Sequence, residues 1–489
     1  MLSTIILVVA VFLILRFLYN RRFNYWKRQG IPERPSYFEA YNLNKHSVMT
    51  WDSKNYEALK DHKFGGMWEM LYPVLYLRDL DLIKQIFIKD FHHFVNRRTF
   101  PTNNEKDHTK LMLSFRETDD WKELRNILTP GFSTVKMRRL FTLFDSCAKR
   151  YMDYLHSKCD SPIEFRNAMG KYTMACIAES VFGIDCHAFG EHQTEFFKMG
   201  KAYMDFSPWR VFKLMFVSNY PKVADFFGLN VFHQDADTYL TKVVEDVLRS
   251  RKGVKGNHND FLEIMRENSE EQEHGQKVLS EHEIVAQCMN FFAAGSDSIE
   301  TVLIWATYEL AKNPDMQQRL YKEVNEGMTK NGGELTFDTM TDMEYLDMFV
   351  SECLRKYPPT MRAERRCLKD YPVPGTKYVV PKGLFVHIPI YPIHHDPMYW
   401  PEPEKFDPER FTKENKSARN QYSYLPFGYG PRTCIAGRYS IVETKICLAH
   451  LVQNFVISTC EKTEPKPIYF HLSLKPVNGT WLSLKPRKR

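Results

Sequence analysis

The sequence predicts one large, mainly α-helical domain with small β-sheets, held behind an N-terminal membrane helix. Three observations predict it. An apolar stretch opens the chain and positive charge follows it rather than precedes it. From about residue 77 to about residue 354 the hydrophobic pattern is dominantly helical, and β-like runs are confined to residues 67–77, 373–389 and the C-terminal end. A proline-free helical pattern near the middle is long enough to cross a whole domain. Length alone, 489 residues, would suggest roughly three domains of about 150 residues. No internal repeat or low-complexity tract divides the chain.

At the N-terminus, residues 5–15 are unbroken apolar and residues 2–18 nearly so, with Arg16 inside. A spanning helix needs about 17–25 residues, so the run is at the short end. Arg21, Arg22, Lys27 and Arg28 follow it. Positive flanks stay cytoplasmic, which places the N-terminus in a lumen and the rest of the chain in the cytosol. A cleaved signal would carry its charge before the run and a small-residue site after it, and neither is present. The expected organisation is a transmembrane anchor over residues 1–20, a basic and proline-containing linker over 21–35, and one catalytic domain over 36–489. With a cytosolic globule, the sequons at Asn415 and Asn478 are chance matches.

Composition is ordinary for a folded protein at 43% hydrophobic and 26% charged. Aromatics reach 14%, which suits a large apolar interior or a cavity for a flat apolar ligand. The net charge of +7 is spread along the chain. It reads as solubility, or as a basic face for an acidic partner or lipid headgroups. No nucleic-acid module is present. Of the ten cysteines, no two share a zinc-knuckle spacing, and a chain this large needs no disulfide framework. Most read as reduced, buried hydrophobes.

The long helix starts at a capping box, Ser280 with Glu283, and runs to Lys312 before Asn313-Pro314. At about 1.5 Å per residue it spans roughly 48 Å. It is apolar on most faces, yet carries Ala294-Gly295-Ser296-Asp297-Ser298 in its middle. Gly295 is expected to break the helical ladder so that a diatomic ligand or water can enter, with Asp297 and Ser298 supplying an acid and a hydroxyl for proton delivery. The alternative is a packing glycine at a kink. Near the C-terminus, residues 472–474 and 481–484 alternate around Asn478-Gly479, a hairpin signal.

Three further segments carry chemistry. In Phe427-Gly428-Tyr429-Gly430-Pro431-Arg432-Thr433-Cys434-Ile435-Ala436-Gly437-Arg438, a Gly/Pro loop delivers a cysteine to an apolar helix expected to begin near Ile435. A thiol at a helix N-terminus meets the positive end of the dipole and free N–H groups, which favour thiolate. Such a thiolate suits the axial position of a haem iron, where it promotes O–O cleavage. Gly428 and Gly430 let the loop turn, Phe427 can shield the sulfur, and Arg432 can reach an acidic edge of the cofactor. The competing reading is a structural cysteine in a turn. In Glu352-Cys353-Leu354-Arg355 the charges share a helix face amid apolar neighbours, so a buried pair is expected, with Arg410 of Pro408-Glu409-Arg410-Phe411 as a further partner. Trp121 and Arg125 lie four apart and are donors suited to carboxylates; alone, such a pair is weak evidence.

In this order and spacing, these segments resemble the cytochrome P450 superfamily, over nearly the whole chain. Residues 335–359, 371–375, 394–397 and 401–411 are similar to its membrane-bound eukaryotic branch. Residues 128–132 and 360–367 resemble its microsomal xenobiotic-metabolising clan. The resemblance implies a helix-rich triangular prism and haem b, with Cys434 as the iron ligand. It implies a structural cluster of Glu352, Arg355 and Arg410 behind the haem, and contacts from Trp121, Arg125, Arg365 and Arg432 to its propionates. Phe427 and Gly430 shape the cysteine loop, and Ala294, Gly295, Asp297 and Ser298 flank the oxygen site. Two positions depart from the family pattern: Ser298 where Thr is usual, which frees the hydroxyl's rotamers, and Ala436 where Gly is usual, which adds a methyl near the porphyrin.

The implied activity is insertion of one atom of O2 into a hydrophobic small molecule. Electrons would come from NADPH–cytochrome P450 reductase, with a b-type cytochrome as a second donor, at the endoplasmic reticulum membrane. Lys122, Arg138 and Arg139 are candidate docking residues for the reductase. Expected pocket walls are residues 100–115, 199–217, 291–292 and 360–361 and the turn near Val477. Phe206, Trp209, Phe212 and Phe216 either dip into the lipid bilayer or form a core helix. The alternatives are a peroxide isomerase or dehydratase of the same fold, and a catalytically silent haem or hydrophobe carrier.

Overall fold

A computed structural model describes residues 22–34, 48–69, 72–99, 108–205, 207–252, 260–270, 279–464 and 474–487, with Leu13, Arg16 and Phe17. Small sheets flank a body of helices. The helices that position the site are α1 (Thr118–Leu128), α2 (Thr134–His156), α3 (Phe165–Ile177), α4 (Pro208–Asn219), α5 (Phe261–Glu270), α6 (Glu281–Lys312), α7 (Glu344–Lys356) and α8 (Gly437–Asn454). Helix α6 packs on α3, α7 and α8, and α8 packs on α2, so these five helices enclose the main apolar core.

Helix α6 has the expected limits. Ser280 and Glu283 form the full capping box, the C-cap is Asn313, and the next helix opens on Pro314. It is buried along most of its length, because crossing the domain leaves it no solvent face. The expected break at Gly295 is absent as an interruption: residues 281–312 are continuous α-helix. A Cβ at Gly295 would meet only the tip of Ile177, at 2.7 Å, so the glycine lets α3 approach closely.

A four-stranded sheet runs in the order β1 (Phe64–Glu69), β2 (Tyr72–Leu77), β7 (Phe385–Ile388), β4 (Ala363–Arg366). It covers a second core that includes Trp51, Trp68 and Tyr76. Strands β5 (Tyr371–Pro372) and β6 (Val379–Val380) form a separate pair. The C-terminal strand corrects the expected hairpin. Turn residues do occur at Val477 and Asn478. Strand β9 (Trp481–Pro486), however, pairs with β8 (Phe455–Thr459) and β3 (Ile163–Glu164), and Leu474 is not in a strand. Strand β8 follows α8 directly and offers a longer ladder than the few residues before the turn.

No described helix is long and apolar enough to cross a membrane. The anchor expected over residues 1–20 lies outside the described residues, apart from Leu13, Arg16 and Phe17.

Candidate cofactor and active site

A cavity of about 530 Å³ lies between α6 and the loop that leads into α8. Its floor is that loop. Gly428 and Gly430 adopt φ of 70° and 74°, the left-handed region that glycine alone enters freely. A Cβ at Gly430 would stand 2.2 Å from the Phe87 carbonyl oxygen, so only glycine fits. The Cys434 amide donates to the Phe427 carbonyl at 2.8 Å, which closes the loop. The Phe427 ring lies 3.5 Å from where a Cβ at Gly437 would sit. Helix α8 begins at Gly437 rather than near Ile435, with Ala436 as its N-cap.

Cys434 is exposed, but its exposed face lines the cavity. The surrounding protein is dense. Burial pushes its thiol up, against the Ala436 backbone N–H and the Arg97 and Arg125 charges, which pull it down. The expected thiolate preference therefore does not arise from the helix end alone. A bound metal ion is what deprotonates such a thiol outright.

The roof is α6. Ala294 is exposed in the middle of this buried helix, and Gly295 and Ser298 also line the cavity. The Ser298 hydroxyl donates to the Ala294 carbonyl at 2.8 Å. Asp297 is not among the lining residues: its carboxylate takes the buried Lys475 ammonium at 2.5 Å, and Lys475 also meets Glu300 at 2.8 Å.

Four guanidiniums, Arg97, Arg125, Arg365 and Arg432, converge on the cavity wall. Their recorded acceptors are main-chain carbonyls: Arg97 donates to Arg432, Arg125 to Thr433 at 2.8 Å, Arg365 to Glu364 at 2.8 Å and Arg432 to Arg116. Among the described residues none of the four forms an ion pair. Among the described residues, the buried Nε atoms of Arg365 and Arg432 have no hydrogen-bond partner. Burial, then repulsion from Arg97 and Arg125, pushes Arg432 down to about 9. Burial with Arg97 and Arg432 drives Arg365 well below its ordinary value. Trp121 supports the group, with the Arg432 guanidinium 4.4 Å from its ring centre.

Behind the floor, Glu352 and Arg355 are fully buried. Arg355 meets Glu352 through two bonds of 2.7 Å and donates to the carbonyls of His394 and Pro403, both at 2.8 Å. Glu352 also accepts from the Asp407 amide at 2.9 Å, and Arg410 approaches it at 3.5 Å. His394 ties this cluster to the cysteine loop: one ring nitrogen lies 3.0 Å from the Arg355 carbonyl and the other accepts from the Leu425 amide at 2.8 Å. Burial drives His394 well below its ordinary value, so it is neutral.

Sequence reasoning missed Arg97, which follows no pattern and reaches the site only through tertiary folding. It also missed a charged group at the cavity edge. Arg98 binds Glu69 at 2.5 Å and Glu364 at 2.7 Å, and His387 lies 2.9 Å from Glu364. Glu69, Glu364 and His387 are close enough to hold a metal ion, but Arg98 already forms ion pairs with both carboxylates. Of the expected walls, Leu113, Ser114, Phe115, Phe291 and Thr360 line the cavity. The described residues of 199–217, with Phe292, Met361 and Val477, do not. Phe132, Ile177, Val181 and Phe261 take their place.

The floor offers a cysteine and the wall gathers cationic charge fit for a flat ligand with acidic groups on one edge. The cytochrome P450 family model matches residues 36–482. The chain is 35% identical to Cytochrome P450 9e2 of Blattella germanica, over 91% of this chain and 90% of that one. It is 34% identical to Cytochrome P450 9b2 of Drosophila melanogaster, with 93% and 94% covered. It is also 34% identical to Cytochrome P450 3A7 of Homo sapiens, with 94% and 92% covered. The chain belongs to the cytochrome P450 family, whose members are haem-thiolate monooxygenases that bind haem b through a cysteine thiolate. The residues present fit that group: unpaired guanidiniums for two propionates, and a cysteine on the cavity floor.

Proposed function

We propose that this protein inserts one atom of O2 into a hydrophobic small molecule, with Cys434 as the residue that would hold the iron of haem b and electrons drawn from NADPH through a flavoprotein reductase. The haem, when bound, supplies the oxygen-activating and electron-accepting chemistry. The chain's own residues bind, orient and exclude water. Arg97, Arg125, Arg365 and Arg432, with Trp121, would hold the two propionates, exchanging mutual repulsion for charge-assisted hydrogen bonds. Phe427 and Gly430 set the cysteine loop, while Glu352, Arg355 and Arg410 fix the segment beneath it. Ser298 presents a hydroxyl on the cavity side of α6, and Asp297 and Lys475 form the nearest proton-bearing pair on its flank.

The observation that carries this reading is the set of four uncompensated guanidiniums on a cavity floored by Cys434. The Gly295 and Ser298 positions on the roof favour monooxygenation over peroxide rearrangement. Reductase docking is assigned to the exposed Lys122 and Arg139; Arg138 is engaged by Asp338. Membrane association through residues 1–20 is supported by an exposed aromatic patch on α4 and the helix after it, where Trp209 is 71% and Phe226 83% exposed. Such a patch suits a lipid surface. Phe206 lies outside the described residues.

The test is the reduced carbon monoxide difference spectrum, followed by NADPH and O2 consumption with added reductase. Wild type is expected to give the thiolate-type band and Cys434→Ala to lose it. A Cys434→Ala protein that keeps the band overturns the ligand assignment. Substrate-dependent haem shifts without any turnover would mark a carrier.

A further inference from the structure

The core between α2, α3 and α8 holds phenols and thiols that the proposed reaction leaves idle. Tyr439 on α8 is 5% exposed, lines the cavity and places its hydroxyl 2.6 Å from Ser180 Oγ. One turn further along α8, the buried Glu443 carboxyl takes hydrogen bonds from Tyr439 and Cys176. The Tyr172 hydroxyl donates to the Glu443 carbonyl at 3.3 Å, and Cys176 follows Tyr172 by one turn of α3. The Tyr172 ring centre lies 5.3 Å from that of Tyr151 on α2, and Tyr151 stacks on Tyr154 at 6.3 Å with 17° between their planes. Tyr172 and Tyr151 are fully buried, whereas Tyr154 is half-buried. The phenols thus form a column from the cavity toward solvent, with Cys176 and Glu443 at the step between Tyr439 and Tyr172.

Packing alone does not call for this chemistry. Elsewhere on the cavity wall Phe132, Phe261 and Phe291 meet at 4.6 to 5.6 Å with phenyl rings only. Phenyl rings make such contacts without a polar atom to satisfy. A phenol or thiol differs because it carries an ionisable proton and can give up that proton together with one electron. The step needs a base, and Glu443 is the carboxyl at the cavity end. Taking a proton also removes a buried negative charge, which the apolar surroundings favour.

We propose that Tyr439, Cys176, Tyr172, Tyr151 and Tyr154 form a relay that discharges oxidising equivalents from the cavity to the protein surface, with Glu443 as the proton acceptor at its inner end. The inference rests on the haem-thiolate reading for the source of the oxidant, a hydroperoxide reduced in the cavity when substrate is absent. Tyr439 gives up one electron and passes its phenolic proton to Glu443. Cys176 and Tyr172 refill Tyr439, and Tyr151 and Tyr154 follow in turn. The net loss is one electron and one proton from Tyr154, the proton going to solvent. Two such events supply the two electrons that, with two protons, convert a hydroperoxide into an alcohol and water. A soluble thiol restores Tyr154 by giving one hydrogen atom, and two thiyl radicals pair as a disulfide. The sum is a thiol peroxidase activity in which one hydroperoxide and two thiols give one alcohol, one water and one disulfide.

Glu443 accepts a proton only when ionised. Burial pushes it up to about 8, and the titratable groups that face it are Tyr439 and Cys447 on α8 and Cys176 and Tyr172 on α3, with Cys147 on α2 behind them. The relay therefore gains as pH rises through that value.

The test mixes the full-length holoprotein with cumene hydroperoxide and a nitroso spin trap, without substrate, and locates adducts by peptide mass mapping. Wild type is expected to carry the adduct on Tyr154, more at alkaline than at acidic pH, and to consume two glutathione molecules per hydroperoxide when glutathione replaces the trap. Tyr172→Phe and Tyr151→Phe each remove one hydroxyl and keep the ring. Both should lose the Tyr154 adduct and show more oxidation at Tyr439. Glu443→Gln should weaken the adduct and flatten its pH profile. A wild type without the Tyr154 adduct overturns the proposal, as does an adduct unchanged in both phenylalanine variants. An equal adduct in haem-free protein also overturns it, because oxidation then comes from outside. A wild type lacking the thiolate-type carbon monoxide band would instead sink the haem-thiolate reading, and the relay's oxidant with it.

Discussion

Ser298 carries its chemistry through a single hydroxyl, and its hydrogen bond decides what that hydroxyl does at rest. It donates to the Ala294 carbonyl at 2.8 Å, back along its own helix. To serve the cavity it must rotate away, and without the methyl of a threonine little restricts that rotation. Ser298→Ala is expected to leave haem content and the carbon monoxide band intact while lowering product formed per NADPH and slowing product formation by about a hundred-fold, the lower end for one positioned proton-transfer group. Unchanged coupling would remove the hydroxyl from the relay. Legibility at this scale followed local pattern. Cys434, Glu352 and Arg355 stand in dense motifs whose spacing implies their geometry. Arg97 does not: it joins Arg125, Arg365 and Arg432 only because three distant segments converge. The Lys475 partner of Asp297 was hidden for the same reason, lying 178 residues away.

Helix α8 shows how one element can serve a site and strain the fold. It follows the cysteine loop and packs on α2 and α6, which leaves Glu443 fully buried. Burial pushes its pKa up to about 8, against hydrogen bonds from Tyr439 and Cys176 that pull it down. The folded state thus keeps a proton that the unfolded chain releases near its ordinary value of 4.5. Stability from this group is full below that value and falls by about 1.4 kcal/mol per pH unit as pH rises toward the folded value, then levels. Glu443→Gln removes the slope. Its urea midpoint, measured on haem-loaded protein, should match wild type near pH 5 and exceed it increasingly toward pH 8. Parallel profiles would show that Glu443 is ionised in the fold or reaches solvent. Element limits set by capping chemistry were legible, as Ser280 and Asn313 show for α6. Strand β9 was misassigned because its alternation states that it is a strand, not which strand it joins. That choice falls to β8, placed by the packing of α8.

At the scale of the whole molecule, one cavity wall gathers charge that no described carboxylate pairs with. Four guanidiniums share one wall, and Arg365 is only 2% exposed. Without an anionic ligand this arrangement opposes folding, since unpaired buried charge costs several kcal/mol. On the proposed reading, haem b would turn the same charges into donors to its propionates, and ligand binding adds to stability by mass action. Holoprotein and apoprotein should therefore respond in opposite directions to the loss of one arginine. Arg365→Met keeps an apolar stem against Phe87, whose ring lies 4.8 Å from the guanidinium carbon. It should raise apoprotein stability in urea by about 1–3 kcal/mol, the scale of an unsatisfied buried polar group. It should also weaken haem binding about ten- to hundred-fold, matching a lost charge-assisted hydrogen bond of about 1.5–3 kcal/mol. Competition for haem with a second apoprotein measures the affinity, and urea unfolding of the stripped protein measures the stability. Haem dimethyl ester, which has no propionate charge, should lose most of the affinity difference between wild type and variant. If Arg365→Met destabilises both forms alike, the residue is an ordinary part of the wall and the four charges do not act together.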